Sequence, residues 1–143
     1  MHPYSFTISL RANHPTSDLS FLSALLKLEQ KHGWAVGDER KTPKGTSLGG
    51  IRLESFWAAS ITLEETSSEV WQLEDLLERS VNKLIAHKKQ LREFFETGGS
   101  MHYFVGLFGA RNFGVVLSPS LMAKLSRSNL ELQLDVYPYA DKA

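Results

Sequence analysis

A period-two alternation of apolar and polar residues, recurring in separate stretches, constrains this chain more than any other feature. In residues 4–11, Tyr4, Phe6, Ile8 and Leu10 alternate with Ser5, Thr7, Ser9 and Arg11. A stretch of this kind is a strand with one dry face and one wet face. The alternation returns at 51–63 through Ile51, Leu53, Trp57, Ala59, Ile61 and Leu63, interrupted at Ser55. It returns again through Met101, Tyr103, Val105 and Leu107, and once more through Leu130, Leu132, Leu134 and Val136. Strands wetted on one face predict one open sheet with its helices on the other side.

Helical spacing occupies the gaps. Leu19, Leu22, Leu25 and Leu26 share a face of a helix ending near Lys27, with Thr16, Ser17 and Asp18 as N-cap candidates. The segment 68–97 is expected as a single long helix, opened by a Thr66/Glu69 capping box and closed by Gly98-Gly99. Val70, Leu73, Leu77, Val81, Leu84, Leu91 and Phe95 mark its buried stripe. Glu64, Glu65, Glu69, Glu74, Asp75 and Glu78 stand early in it, and Lys83, Lys88, Lys89 and Arg92 stand late. That order complements the dipole of one continuous helix. Ser118-Pro119 begins a short helix through Leu125, and further strands are expected at 32–36, around Trp34, and at 113–117, with a loose tail from Pro138.

The class is therefore α+β, in the order β-α-β-β-α-β-β-α-β, with residues 1–143 as a single domain. The first six elements match a split βαβ, ferredoxin-like core, and the last three extend it to one mostly antiparallel sheet with helices on one face.

Several function classes lose support from composition. Lysine plus arginine (16) equals aspartate plus glutamate (16), so no whole-molecule field gathers nucleic acid or anionic membrane. The absence of cysteine removes disulfides, thiolate metal sites and thiol nucleophiles. No basic and apolar leader stands at the N-terminus and no apolar run approaches a bilayer span, so the expected address is cytoplasmic.

Motifs that suggest catalysis fail on context. Gly45-Thr46-Ser47-Leu48-Gly49 matches a nucleophile elbow in letters, but an elbow needs a strand before the serine and a helix after it. Lys44-Gly45-Thr46 lacks both the spacing and the helix of a phosphate-binding loop. His2, His14, His32, His87 and His102 never stand at close metal-ligand spacing. His14 suits a strand-end turn. Asp135, on the wet face of the last strand, is the carboxylate least explained by a helix surface, and it raises the question of whether Asp135, His102 and Arg52 converge on a cleft. No catalytic residue, metal or cofactor is assigned.

The segment 37–50 is the one long irregular stretch, and long loops in compact domains are enriched in function. Arg40, Lys41 and Lys44, with Arg52 just beyond, offer cations to an acidic partner or a small anion. Trp34 and Trp57 flank the stretch on neighbouring strands, where their indoles would pack together at its base.

His14-Pro15 with Asp18, Trp34-x-x-Gly37-Asp38, Arg40, Thr42-Pro43-Lys44-Gly45, Gly49-Gly50, Ser55-x-Trp57 and Leu134-Asp135-Val136-Tyr137 together resemble a bacterial family known as domain of unknown function 4279. The resemblance covers nearly the whole chain and implies a small α+β domain without established catalytic residues. Some relatives look like immunity partners of secreted toxins. The resulting expectation is a non-enzymatic binding protein with a protein partner, of immunity type. The alternative is a small-molecule or anion-binding protein, or a cryptic enzyme, using residues 37–52. Nucleic acid and membrane are disfavoured, and the choice between monomer and homodimer stays open.

Overall fold

In the computed structural model, which describes residues 2–138, the first alternating stretch is the central strand β1 (Ser5–His14). Phe6, Ile8, Leu10 and Ala12 point into the core and are buried. The chain continues through α1 (Phe21–Leu26), β2 (Gln30–Trp34), β3 (Glu39–Lys41), β4 (Ser47–Ile51), β5 (Ser55–Ser60) and β6 (Thr66–Ser67). It then runs through α2 (Leu73–Ala86), α3 (Lys88–Glu96), β7 (Ser100–Gly109), α4 (Pro119–Arg127) and β8 (Leu130–Pro138). A six-stranded sheet runs β2-β5-β1-β7-β8, with β6 paired to β1 off this path, and β3 and β4 form a separate ribbon. Pairs along the sheet are antiparallel except β7 with β8, which are joined by α4 as parallel neighbours require. Because β5 lies between β1 and β2, the β1-α1-β2 unit is split. Leu22, Leu77, Leu91, Phe94 and Leu121, from the four helices, share one core cluster with the inward residues of β1, β5 and β7.

Outside the long helix and the segment 37–52, the elements differ from the expected ones in three places. First, 51–63 is not one strand: Ile51 ends the ribbon, and β5 begins only at Ser55. Ile51, Leu53 and Leu63 are exposed, so only the Trp57–Ile61 part of the alternation reports on the core. Second, 113–117 forms no strand and pairs with none among the described residues. Its alternation is genuine, since Phe113, Val115 and Leu117 pack on the core and Phe113 stacks on Tyr4 with ring centroids 4.6 Å apart. Packing of alternate residues on a core does not require a ladder. Third, Thr66 and Glu69 do not cap a helix; Thr66 and Ser67 pair with Phe6 and Ser5, and α2 starts later. Ser118 does cap α4, its Oγ accepting the Leu121 N–H at 3.2 Å. The expected tail beyond Pro138 lies outside the described residues.

The long helix is two helices. His87 leaves the helical region (φ −105°, ψ 21°) and separates α2 from α3. A straight continuation of the stripe Leu73, Leu77, Leu84 would carry Lys88 onto the buried side. The turn at His87 re-aims the chain so that Leu91 and Phe94 are buried and Lys88 is exposed, and Phe95, expected in the stripe, is only half-buried. Between α2 and α4, Glu74 accepts the Ser118 N–H and Glu78 takes Lys124, each at 2.6 Å. Among the described residues no helix is long and apolar enough to cross a membrane.

His14 ties the end of β1 to the end of α3. It is 1% exposed. Its Nδ1 accepts the backbone N–H groups of Thr16 and Ser17 at 3.1 and 2.9 Å. The Thr97 hydroxyl donates to the Glu93 carbonyl, so His14 Nε2–H donates to Thr97 Oγ1 at 2.8 Å. These bonds fix the orientation of the ring. His14→Phe keeps the approximate volume, loses all three bonds and leaves the Thr16 and Ser17 N–H groups without their protein acceptor. We expect a loss of about 2–4 kcal/mol in urea unfolding; a loss below about 0.5 kcal/mol would contradict this role.

Candidate functional site

Residues 37–52 form an ordered two-stranded arm instead of an irregular loop. Thr42 and Thr46 close it, with Thr42 N–H donating to Thr46 O and Gly45 N–H to Thr42 O, both at 2.8 Å. Proline at the first turn position and a left-handed glycine at the third is a standard three-residue hairpin solution. Gly37, Gly45, Gly49 and Gly50 all have positive φ, and a Cβ at the first three would meet nothing within 4 Å. These glycines therefore serve backbone conformation and not close packing. At the base, Gly37 N–H donates to Arg52 O at 2.9 Å and Arg52 N–H to Asp38 O at 2.8 Å. Asp38 accepts the Ala35 N–H, and the buried Ser55 hydroxyl accepts the Val36 N–H. Every residue of β3 and β4 is exposed, including Leu48 and Ile51.

Trp34 anchors this arm to the sheet. The Arg52 guanidinium lies 3.6 Å from the centre of its indole, Phe56 packs 4.9 Å away, and the indole N–H donates to Glu54 O at 3.1 Å. Arg52 also donates to Lys41 O at 3.2 Å, which ties β3 to the base. Trp57 plays no part here. It pairs with Gly33, faces the core at 0% exposure, and donates its indole N–H to Ser23 Oγ at 3.0 Å. The indole pair expected at the base of the arm does not form, because adjacent positions along a strand face opposite sides of the sheet. Arg40 and Lys44 stand on the arm without an ion pair among the described residues, while Lys41 approaches Glu39 at 3.7 Å.

The open face of the sheet continues this surface. Arg11 lies 3.8 Å from the centre of the Phe104 ring and donates through Nε to Ser9 Oγ at 3.3 Å. Burial lowers the Arg11 pKa from its usual value, against the pull of Tyr137 and Asp135. Beside it, burial lowers the His102 pKa; the Arg11 charge lowers it further and Glu131 opposes both. His102 and Asp135 thus gather about Arg11, and Arg52 stands across the sheet near its β2 edge. Asp135 is engaged by the Tyr137 hydroxyl. Arg11 was not a candidate on sequence grounds. Its place on the wet face of a strand paired along both flanks was the available signal.

Two open hollows meet at Trp34. One, of about 610 Å³, crosses the open face between Arg11, Phe104, Phe56 and Trp34. The other, of about 730 Å³, lies between β2 and the arm and takes in His32, Lys41, Leu48 and Arg52. Cradling of an anion by arm N–H groups is disfavoured, because those of Gly37, Gly45, Thr46 and Gly49 are already bonded within the arm. Stacking of bases is disfavoured because guanidinium groups already cover Trp34 and Phe104. Among the described residues no three His, Asp or Glu side chains group to hold a metal ion.

The model of the family described as domain of unknown function (DUF4279) matches residues 2–139. The chain belongs to that family. Searches of curated proteins and of solved structures found no match. The residues that carried the family resemblance are, in this member, mainly the fastenings of the arm and of the His14 turn.

Two outcomes follow from this geometry. Arg52→Gln removes the stacked cation, so amide exchange within 37–52 should quicken while global unfolding changes by less than about 1 kcal/mol; unchanged exchange would detach Arg52 from the arm's order. His102 has its folded pKa below the ordinary 6.5. Its contribution is complete at higher pH and lost as pH falls below 6.5 toward the folded value, because the unfolded chain takes the proton first. His102→Gln should therefore flatten the fall in stability on acidification, measured as urea midpoints at successive pH values; an unaltered slope would contradict the shift.

Proposed function

We propose that this chain is a non-enzymatic protein-binding module, and that its partner presents carboxylates to the arm and the adjoining open face of the sheet. The observation that carries this reading is the pair of guanidinium groups, Arg11 and Arg52, held over aromatic rings beside a concave surface, neither of them in a salt bridge among the described residues, although Asp135 attracts Arg11 at longer range. Stacking fixes each planar fork in advance, which lowers the ordering cost of meeting a carboxylate. Arginine and aromatic residues around a desolvated centre are also what strong protein contacts use. Leu48, Ile51 and Leu53 supply exposed apolar area beside the cations of Arg40 and Lys44.

An immunity-type role is the specific form of this reading, with a toxin as the partner. It draws support from the family resemblance and from the arm, which adds exposed contact surface with little core beneath it. The test is isolation of the chain with its partner from the native cell under mild crosslinking, followed by binding of the purified pair. Reversing Arg40 and Lys44 to Glu, or changing Arg11→Gln, should weaken binding about tenfold or more. Reversal of Lys83 on α2 should leave it unchanged. No co-purifying protein, or equal binding by all variants, would overturn the reading.

A further inference from the structure

The last turn of α2, the flank of α3 and the turn from α4 into β8 enclose a hollow of about 180 Å³, remote in sequence from the arm. Leu84, Leu91, Phe95, Met101 and Leu130 line it with apolar surface. Lys88, Arg92 and Arg127 line it with positive charge, against Glu96 alone. Among the described residues none of these cations is ion-paired. Asn129, held in a left-handed conformation (φ 55°), lines the same hollow.

The break at His87 changes the meaning of these lysines. In one continuous helix they would sit late and complement the dipole. Instead, Lys88 and Lys89 occupy the first turn of α3, with no acid in that turn and no side-chain cap at His87. Cations at the positive end of a helix are unfavourably placed. Positive potential therefore accumulates beside an apolar hollow with no protein carboxylate paired to it. An anion carrying an apolar group would relieve the charge crowding and cover the apolar area left at exposed Ile85 and half-buried Phe95, over the buried side chains beneath them. The volume suits one ring, since apolar cavities of about 150 Å³ accept benzene.

We propose that this hollow binds a small carboxylate bearing one aromatic or short aliphatic group. The apolar group rests on Leu91, Phe95 and Leu130, and the carboxylate meets Arg92, Arg127 and Lys88. A ligand of this size should bind at about 0.1–1 mM. The proposal is independent of the arm and of its partner.

The experiment is titration of the isotope-labelled full chain with phenylacetate, with benzylamine and toluene as matched probes, followed by amide chemical shifts. Phenylacetate should give saturable shifts confined to residues 84–101 and 127–130, and benzylamine should give none. Changing Arg92 and Arg127 together to Gln should weaken phenylacetate about tenfold or more. Ile85→Trp, at a half-exposed position lining the hollow, should block it; if that variant does not fold, the arginine pair carries the test. Equal binding of benzylamine and phenylacetate would mean an apolar hollow without anion selectivity and overturn the proposal. So would undiminished binding in the arginine variant, or no shift with any probe well above millimolar concentration.

Discussion

β1 is bonded along both flanks, to β5 and β6 on one side and to β7 on the other, so its two-residue alternation sets the facing of the whole sheet. A slip of one residue would exchange Phe6, Ile8 and Leu10 for Thr7, Ser9 and Arg11 on the helix side. Each of those apolar side chains contributes about 1.5–3 kcal/mol when buried, so the register is strongly determined. The buried pair Ser80 and Tyr103, with oxygens 2.6 Å apart, adds a polar pin from α2 to the neighbouring strand. Burial raises the pKa of that tyrosine hydroxyl more than the hydrogen bond with Ser80 lowers it, which leaves Tyr103 neutral and able to hold the pin. With all helices committed to one side, the opposite face is uncovered, and Arg11 stands on it by parity alone.

The arm meets a different physical problem, because it has almost no core behind it. A two-stranded ribbon in water is marginal by itself. Here stability comes from several local devices: the Thr42–Thr46 closure, the Asp38 and Ser55 side chains on the backbone of the base, and Arg52 stacked on Trp34. Four left-handed glycines bend the ribbon without demanding space around them. Such a structure is ordered but can be displaced at small cost. That combination suits a surface that must recognise a partner without prior folding.

The legible parts of the fold are those where burial imposes a period. β1 and β7 stand out because each has one face packed, β8 keeps the alternation although only Leu130 is buried and Leu134 and Val136 are exposed, and Ser118-Pro119 marks α4 because capping is local chemistry. Periodicity could not tell the paired strand β5 from the unpaired segment 113–117, since both send apolar residues at every second position onto the core. Nor could it see the turn at His87, where neither glycine nor proline marks the break and the cause is the position of Lys88 in the stripe. The arm buries no face and so has no period; its signal was the short string Thr-Pro-Lys-Gly-Thr, a turn rule. Of the residues proposed for the site, Arg40, Lys44, Arg52 and Trp34 lie on the surface described, Lys41 is shared with Glu39, and Trp57 belongs to the core. Tryptophan type alone could not separate Trp34 from Trp57; strand parity separates them once the pairing is known.

Net charge was a poor guide for a related reason. The acids and bases cancel in the sum, yet they are spent differently. Asp18 and Asp38 hold turns, Glu74 and Glu78 bind α4, Glu54 accepts from Asn13, and Asp135 takes the Tyr137 hydroxyl. Carboxylates accept well from nearby backbone and side-chain donors, so folding consumes them locally. Guanidinium and ammonium groups on long stems are consumed less often, and Arg40, Lys44, Lys88, Arg92 and Arg127 have no ion pair among the described residues. A chain neutral in composition thus presents two separate positive surfaces: one around Trp34 and the arm, the other beside α3. The field a partner meets is set by which charges the fold has already used, and that accounting requires the contacts as well as the count.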